Sequence, residues 1–135
     1  MHDKPFFDTN VLVYVIGEKD ERTVQAEALV ASGGVVSVQV LNELTAVARR
    51  KLGMTWPDIE EVLAAIRVLC PSPVPLTLAT HEAGLRIAAQ YQFHIYDALI
   101  AAAALEVDCT TLYSEDLHDG QVIDERLTIR NPFTT

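Results

Sequence analysis

The chain has 135 residues, half of them hydrophobic, with ten Lys and Arg against nineteen Asp and Glu and a formal net charge of −9. That length and hydrophobic share suit one globular domain over residues 1–135 and exclude a disordered chain. The acidic balance excludes a simple basic nucleic-acid-binding module, but not an enzyme that meets nucleic acid through bound cations, which invert a local negative potential.

Residues 4–8 read as a short buried strand, because Phe6-Phe7 shows no polar alternation. Thr9 or Asn10 is placed to cap a helix over 11–16, stopped by Gly17. Asp20 caps a second helix through Val24, Ala28, Leu29 and Ala31, ending at Ser32-Gly33-Gly34. Val35-Val36 is another short strand, and Ser37 caps a helix that runs past Glu43 to Leu52 and stops at Gly53. Thr55 caps the next helix, with Pro57 tolerated in its first turn. Its buried stripe is Ile59, Val62, Leu63, Ile66 and Leu69. Pro71, Pro73 and Pro75 then enforce an extended link. Helices over 78–91 and 96–106 follow, and strands over 109–113 and 127–129 end the pattern.

Short strands separated by helices call for a mostly parallel sheet covered on both faces. Ligands of such sheets bind beyond the carboxyl ends of the strands. Asp8 and Asp116 each follow a strand, and Asp97 opens a helix whose positive dipole end favours an anion. Glu43 lies at the margin of its helix's buried stripe of Val40, Leu44 and Val47, beside Gln39, Ala46 and Arg50. From there a glutamate can reach over the core edge into a cleft. Four acids, each weak alone as a turn or cap residue, together suggest one cluster that a divalent cation would make tolerable.

Other features are blander. Cys70 and Cys109 form no disulfide framework and read as buried small hydrophobes of a reducing, cytoplasmic setting. His2, His81, His94 and His118 lack metal-ligand spacing and read as surface or capping residues. The longest apolar run, residues 98–105, is too short to span a membrane, and Met1-His2-Asp3-Lys4 lacks the order of a secretory signal. Arg49-Arg50-Lys51 is an ordinary basic helix end in which Arg49 and Arg50 could contact phosphate. Tyr91, Phe93 and Tyr96 fit packing better than base stacking.

Four segments, taken in order, resemble the PIN domain and, within it, the toxin nucleases of VapC type. They are Phe7-Asp8-Thr9-Asn10-Val11-Leu12, Ser37-Val38-Gln39-Val40-Leu41-Asn42-Glu43-Leu44, Ile95-Tyr96-Asp97-Ala98-Leu99-Ile100-Ala101-Ala102-Ala103 and Leu112-Tyr113-Ser114-Glu115-Asp116. The tail Leu127-Thr128-Ile129-Arg130-Asn131-Pro132-Phe133 resembles one bacterial branch of these proteins. The resemblance implies an α/β/α three-layer sandwich with a mostly parallel central sheet. It also implies endonuclease activity on RNA that depends on Mg²⁺, with Mn²⁺ as a substitute. Metal-site roles carry over to Asp8, Glu43, Asp97 and Asp116. Asn10 carries over as a supporter of the first aspartate, Ser114 as a hydrogen-bonding neighbour of the fourth acid, and Glu115 adds a fifth acid beside it. A small antitoxin and a homodimer are the implied protein partners, with no membrane.

Two other functions compete with this one. A phosphotransferase forming an aspartyl-phosphate at Asp8 needs an acid two residues on, where this chain has Asn10. A catalytically silent PIN-like module binding RNA or protein has no need to gather four acids.

Overall fold

The computed structural model describes residues 4–17 and 19–133, so the surface or capping role expected of His2 falls outside the described residues. In chain order the elements are β1 (Phe6–Phe7), α1 (Thr9–Ile16), α2 (Glu21–Ala31), α3 (Val38–Arg50), α4 (Trp56–Leu69), α5 (Leu78–Tyr91), α6 (Ile95–Glu106), β2 (Thr111–Tyr113), β3 (Val122–Ile123) and β4 (Leu127–Arg130). The strands form a mixed sheet in the order β1-β2-β4-β3. β1 pairs with β2, and β2 with β4, in parallel; only the edge strand β3 runs antiparallel, to β4. The architecture is α/β with a mostly parallel sheet, as expected.

Successive strand residues point to opposite faces. Phe6 and Phe7 are both 0% exposed, so the sheet is covered on both sides where β1 runs. Leu112, Ile123, Leu127 and Ile129 join them in one core with Val11, Leu12, Val36, Val40, Leu44 and Ile87. The helices pack in a chain of neighbours, α2 on α1, α1 on α3, α3 on α4 and α6, and α5 on α6. α6 carries apolar residues on nearly all sides, with Ala98 to Leu105 buried. Even so, no helix among the described residues is long and apolar enough to cross a membrane.

Several strand expectations shift in detail. The strand expected over 4–8 shortens to Phe6–Phe7, because Asp8 leaves the ladder to cap α1 with its own side chain. The cap expected from Thr9 or Asn10 is therefore Asp8. Val35 makes an isolated parallel bridge to Phe6 in place of a full strand, and Val74 bridges Ser37 outside it. Val74 lies between Pro73 and Pro75, which lack the N–H a longer ladder needs. In α2 the buried face is Thr23, Ala26 and Val30, while Val24 and Ala28 face solvent.

β3 has no counterpart among the expected strands. It has two residues, and the turn after it places Asp124 and Glu125 at φ of 53° and 59°, without the Gly that marks such turns. Tertiary contacts hold that turn instead. The Arg86 guanidinium donates to both Asp124 carboxylate oxygens at 3.2 and 2.6 Å. The Tyr91 hydroxyl accepts the Asp124 N–H at 2.9 Å and donates to its carboxylate at 3.2 Å.

Gly84 sets the close approach of α5 to α6, since an added Cβ would stand 2.7 Å from Leu99 Cδ2. That neighbour is the end of a flexible side chain, and alanine gains about 1 kcal/mol of helix propensity over glycine. Gly84→Ala should therefore leave stability nearly unchanged, whereas Gly84→Val should lower it by about 2 kcal/mol through overpacking. Chemical denaturation distinguishes the two.

Candidate active site

The parallel arrangement of β1 and β2 puts their carboxyl ends on one edge, and the chain segments leaving that edge carry Asp8 and Ser114-Glu115-Asp116. Main-chain pairing fixes the exit, with the Asp8 N–H donating to Tyr113 O at 2.9 Å. Asp8 is only 3% exposed. Its carboxylate accepts the Thr9 N–H at 2.7 Å, the Ser114 hydroxyl at 2.7 Å and the Asn10 amide at 3.4 Å. The same side chain is thus helix cap and one of the acids of the candidate site. Ser114, 0% exposed, stands behind Asp8 and is held in turn by the Leu117 N–H at 3.3 Å. Its partner is the first acid of the site, where the resemblance implied the fourth.

Burial pushes the Asp8 carboxyl up to about 7, against the lowering effect of the Ser114 and Thr9 hydrogen bonds, and the nearby charges of Asp97 and Glu43 add to the rise. Glu43 reaches the same place from α3. Its two carboxylate oxygens accept the Thr9 hydroxyl at 3.1 Å and the Gln39 amide at 2.9 Å. Asp97 sits in the first turn of α6, half-buried. Its carboxyl is pushed up by desolvation, by Glu43 and by Asp116, with His94 opposing. His94 caps α6, accepting the Tyr96 N–H at 3.2 Å, which agrees with a capping role. Asp97 and Asp116 have no side-chain hydrogen-bond partner among the described residues.

Glu115 differs from Asp116. Its carboxylate is engaged by the Tyr14 hydroxyl at 2.7 Å and by Arg22 at 3.5 Å, and its N–H donates to Asn10 Oδ1 at 3.2 Å. Asp116 is exposed and uncommitted, so of the two adjacent acids it is the one free to turn toward an ion.

All five carboxylates line one cavity of about 520 Å³. Its other wall is Val13, Tyr14, Ala46, Val47 and Tyr96, and Lys51 also borders it. The acids share the cavity without being drawn into a tight cluster; among the described residues no three His, Cys, Asp or Glu are set closely enough to hold an ion directly. The donor set is nonetheless all oxygen, which suits a hard divalent cation, and Mg²⁺ keeps several of its waters between itself and distant carboxylates.

Arg49 and Arg50 are outside this cavity. The Arg49 guanidinium lies 5.0 Å over the Trp56 ring and donates to Met54 O at 3.0 Å, and Arg50 is exposed on α3. Lys51, the third member of that cluster, is the one that borders the acids. Sequence reasoning gives Thr9 and Gln39 no place in the site, favours packing over base stacking for Tyr96, and names Arg49 and Arg50 ahead of Lys51 for phosphate. Gln39 carries a signal, one helical turn before Glu43, whereas Thr9 reads only as a cap. The two cysteines are buried as expected, and burial pushes the Cys109 thiol up to about 11.

A carboxyl that titrates higher folded than unfolded binds its proton more tightly in the native state, so it lowers stability as pH rises from about 4 to about 7. For Asp8 the loss across that window is on the order of 4 kcal/mol, and Asp97 adds in the same direction. Metal-free protein in EDTA should melt higher at pH 5 than at pH 8. Mg²⁺ should raise the midpoint at pH 8 and leave it nearly unchanged at pH 5. A midpoint that climbs with pH in EDTA would contradict the electrostatic reading of Asp8.

Among solved structures, a toxin–antitoxin complex from Klebsiella pneumoniae aligns with a TM-score of 0.72 at 18% identity, over 97% of this chain and 99% of that one. VapBC2 from Rickettsia felis, bound to a DNA fragment from its promoter, aligns at 0.67 and 19% identity over 94% and 97% of the two chains. VapC20 of Mycobacterium tuberculosis, described as a sarcin-ricin loop cleaving toxin, aligns at 0.67 and 22% identity over 83% and 89%. A comparison with curated proteins finds no match. Residues 6–118 match the PIN domain family, a span that begins at β1 and takes in Asp8, Glu43, Asp97 and Asp116; the chain belongs to the PIN domain family.

Proposed function

We propose that the protein is a divalent-metal-dependent endoribonuclease, the toxin of a type II toxin–antitoxin pair, acting in the cytoplasm. The observation that carries this is Asp8, a carboxylate buried at a strand end with two other acids close enough to raise its pKa, yet held in place by three donors. Such an arrangement stores unfavourable charge that only a bound cation or a proton relieves. The likeness to toxin–antitoxin complexes supports an antitoxin partner, and the likeness to a sarcin-ricin loop cleaving toxin supports a nucleic-acid-cleaving role, here read as RNA cleavage. A homodimer fits the same picture.

Asp8, Glu43, Asp97 and Asp116 would hold Mg²⁺ or Mn²⁺, which when bound supplies a water of lowered pKa and offsets charge on the phosphate being cleaved. The chain's own work is positioning. Thr9 and Ser114 fix the Asp8 carboxylate, while Thr9 and Gln39 fix Glu43, so these two acids meet an ion without reorganising. Tyr14 and Arg22 hold Glu115 aside, which leaves Asp116 to respond.

Titrating Mg²⁺ or Mn²⁺ into protein with a fluorogenic RNA tests the proposal. Cleavage that appears with the metal and vanishes with EDTA supports it; RNA binding without turnover at any metal concentration would favour a silent binding module.

A further inference from the structure

The cavity is lined by side chains of two kinds, acids and an apolar set, and only the acids are suited to a cation. The apolar set of Val13, Ala46, Val47 and Tyr96 serves no metal and no phosphate. Tyr96 is the unusual member. It is 54% exposed, one residue before Asp97, at the start of α6. The other tyrosines are committed: Tyr14 to Glu115 and Arg22, Tyr91 to Asp124, and Tyr113 stacked on Phe7 at 6.3 Å. Among the described residues the Tyr96 hydroxyl has no hydrogen-bond partner, and its ring meets one other ring, that of His94, tilted by 60° at 5.1 Å. That contact and the His94 cap on its N–H orient the side chain beside the cavity.

A solvent-facing aromatic ring beside a set of phosphate-directed acids is the form a base-stacking platform takes. The volume of about 520 Å³ falls within the ordinary range for small-ligand pockets, roughly 300–1,000 Å³. Lys51 adds a cation on the same cavity, suited to a phosphate of the same strand. A base inside a duplex has both faces covered by its stacked neighbours, so it must be unstacked before it can lie on the Tyr96 ring, and an unpaired base avoids most of that cost. Sequence-specific RNA recognition commonly targets such splayed loop bases.

Resting on the nuclease reading of the acids, we propose that the apolar side chains of this cavity form a nucleobase subsite with Tyr96 as its stacking platform, holding the base of the nucleotide beside the cut. Tyr96 is then a substrate-positioning residue. Lys51 contacts the backbone of the same strand.

The test places 2-aminopurine in turn at each loop position of a short RNA hairpin and titrates Asp8→Asn protein in Mg²⁺. Stacking should quench the fluorescence at one position beside the cleavage site. Adding Tyr96→Ala should abolish that quench, and adding Tyr96→Phe should keep it. In the otherwise unaltered enzyme, Tyr96→Ala should lower kcat/KM by about 10-fold, mostly through KM, with Tyr96→Phe close to the parent and a fully paired duplex a poor substrate. Cleavage and quenching that are both unchanged in Tyr96→Ala would overturn the subsite while leaving the nuclease intact. A protein that never cleaves RNA would overturn the nuclease reading, and position-specific quenching lost with Tyr96→Ala would still sustain the subsite.

Discussion

Asp8→Asn should lower RNA cleavage by about 10³-fold or more, and the same change should make the metal-free protein more stable at pH 8. Both effects come from one charge. Under the proposed function a bound metal would supply several kcal/mol of transition-state stabilisation, and each 1.36 kcal/mol is tenfold in rate, so weakening its hold would remove most of the activity. Without metal, however, the ionised carboxylate is a buried like-charge neighbour of Asp97 and Glu43. Asparagine removes that repulsion and keeps an oxygen for the Thr9 N–H, a cap function asparagine performs as well as aspartate. Ser114 Oγ can then accept from the new amide where it had donated. A rise of several degrees in the melting midpoint in EDTA, with Mg²⁺ no longer shifting it, is the expected signature. Asp8→Asn protein that is inactive because it is unfolded would contradict the account, and so would full activity.

Gly34→Ala should be among the most damaging single changes to the fold, at about 3 kcal/mol. A Cβ built there collides with the Phe7 ring, with Cζ at 2.8 Å, and meets Pro5 O at 2.7 Å. The carbonyl belongs to backbone that cannot step aside, because Pro5 O accepts the Val35 N–H at 2.9 Å. Phe7 is 0% exposed and stacked against Tyr113, so its ring has nowhere to go. Phe7 also precedes Asp8, and displacing it moves the first acid of the site. A drop in the urea midpoint accompanied by reduced metal-dependent cleavage of the remaining folded protein is expected. Stability equal to that of the parent would show that the Phe7 ring has room to yield.

Much of this is legible in the sequence because its signals are local. Caps at Asp20, Ser37, Thr55 and the α5 span of Leu78–Tyr91 follow from residue chemistry within a few positions. The buried Phe6-Phe7 pair announces a two-sided sheet. What escapes depends on distant partners. β3 exists because Arg86 and Tyr91, over thirty residues away, hold the Asp124 turn. Ser114 acts on Asp8 across 106 residues, a pairing that only the parallel register of β1 and β2 creates. The basic triplet divides for a similar reason. Arg49 is drawn onto Trp56 after the end of α3, and the residue left beside the acids is Lys51.

If Asp8, Glu43, Asp97 and Asp116 together create one place for a doubly charged ion, anomalous diffraction from crystals soaked in Mn²⁺ will reveal it without any substrate. The expected result is a manganese peak in the cavity that these side chains line, lost in the Asp8→Asn protein. Well-diffracting soaked crystals with no peak there, or with manganese bound only at other surfaces, would contradict it.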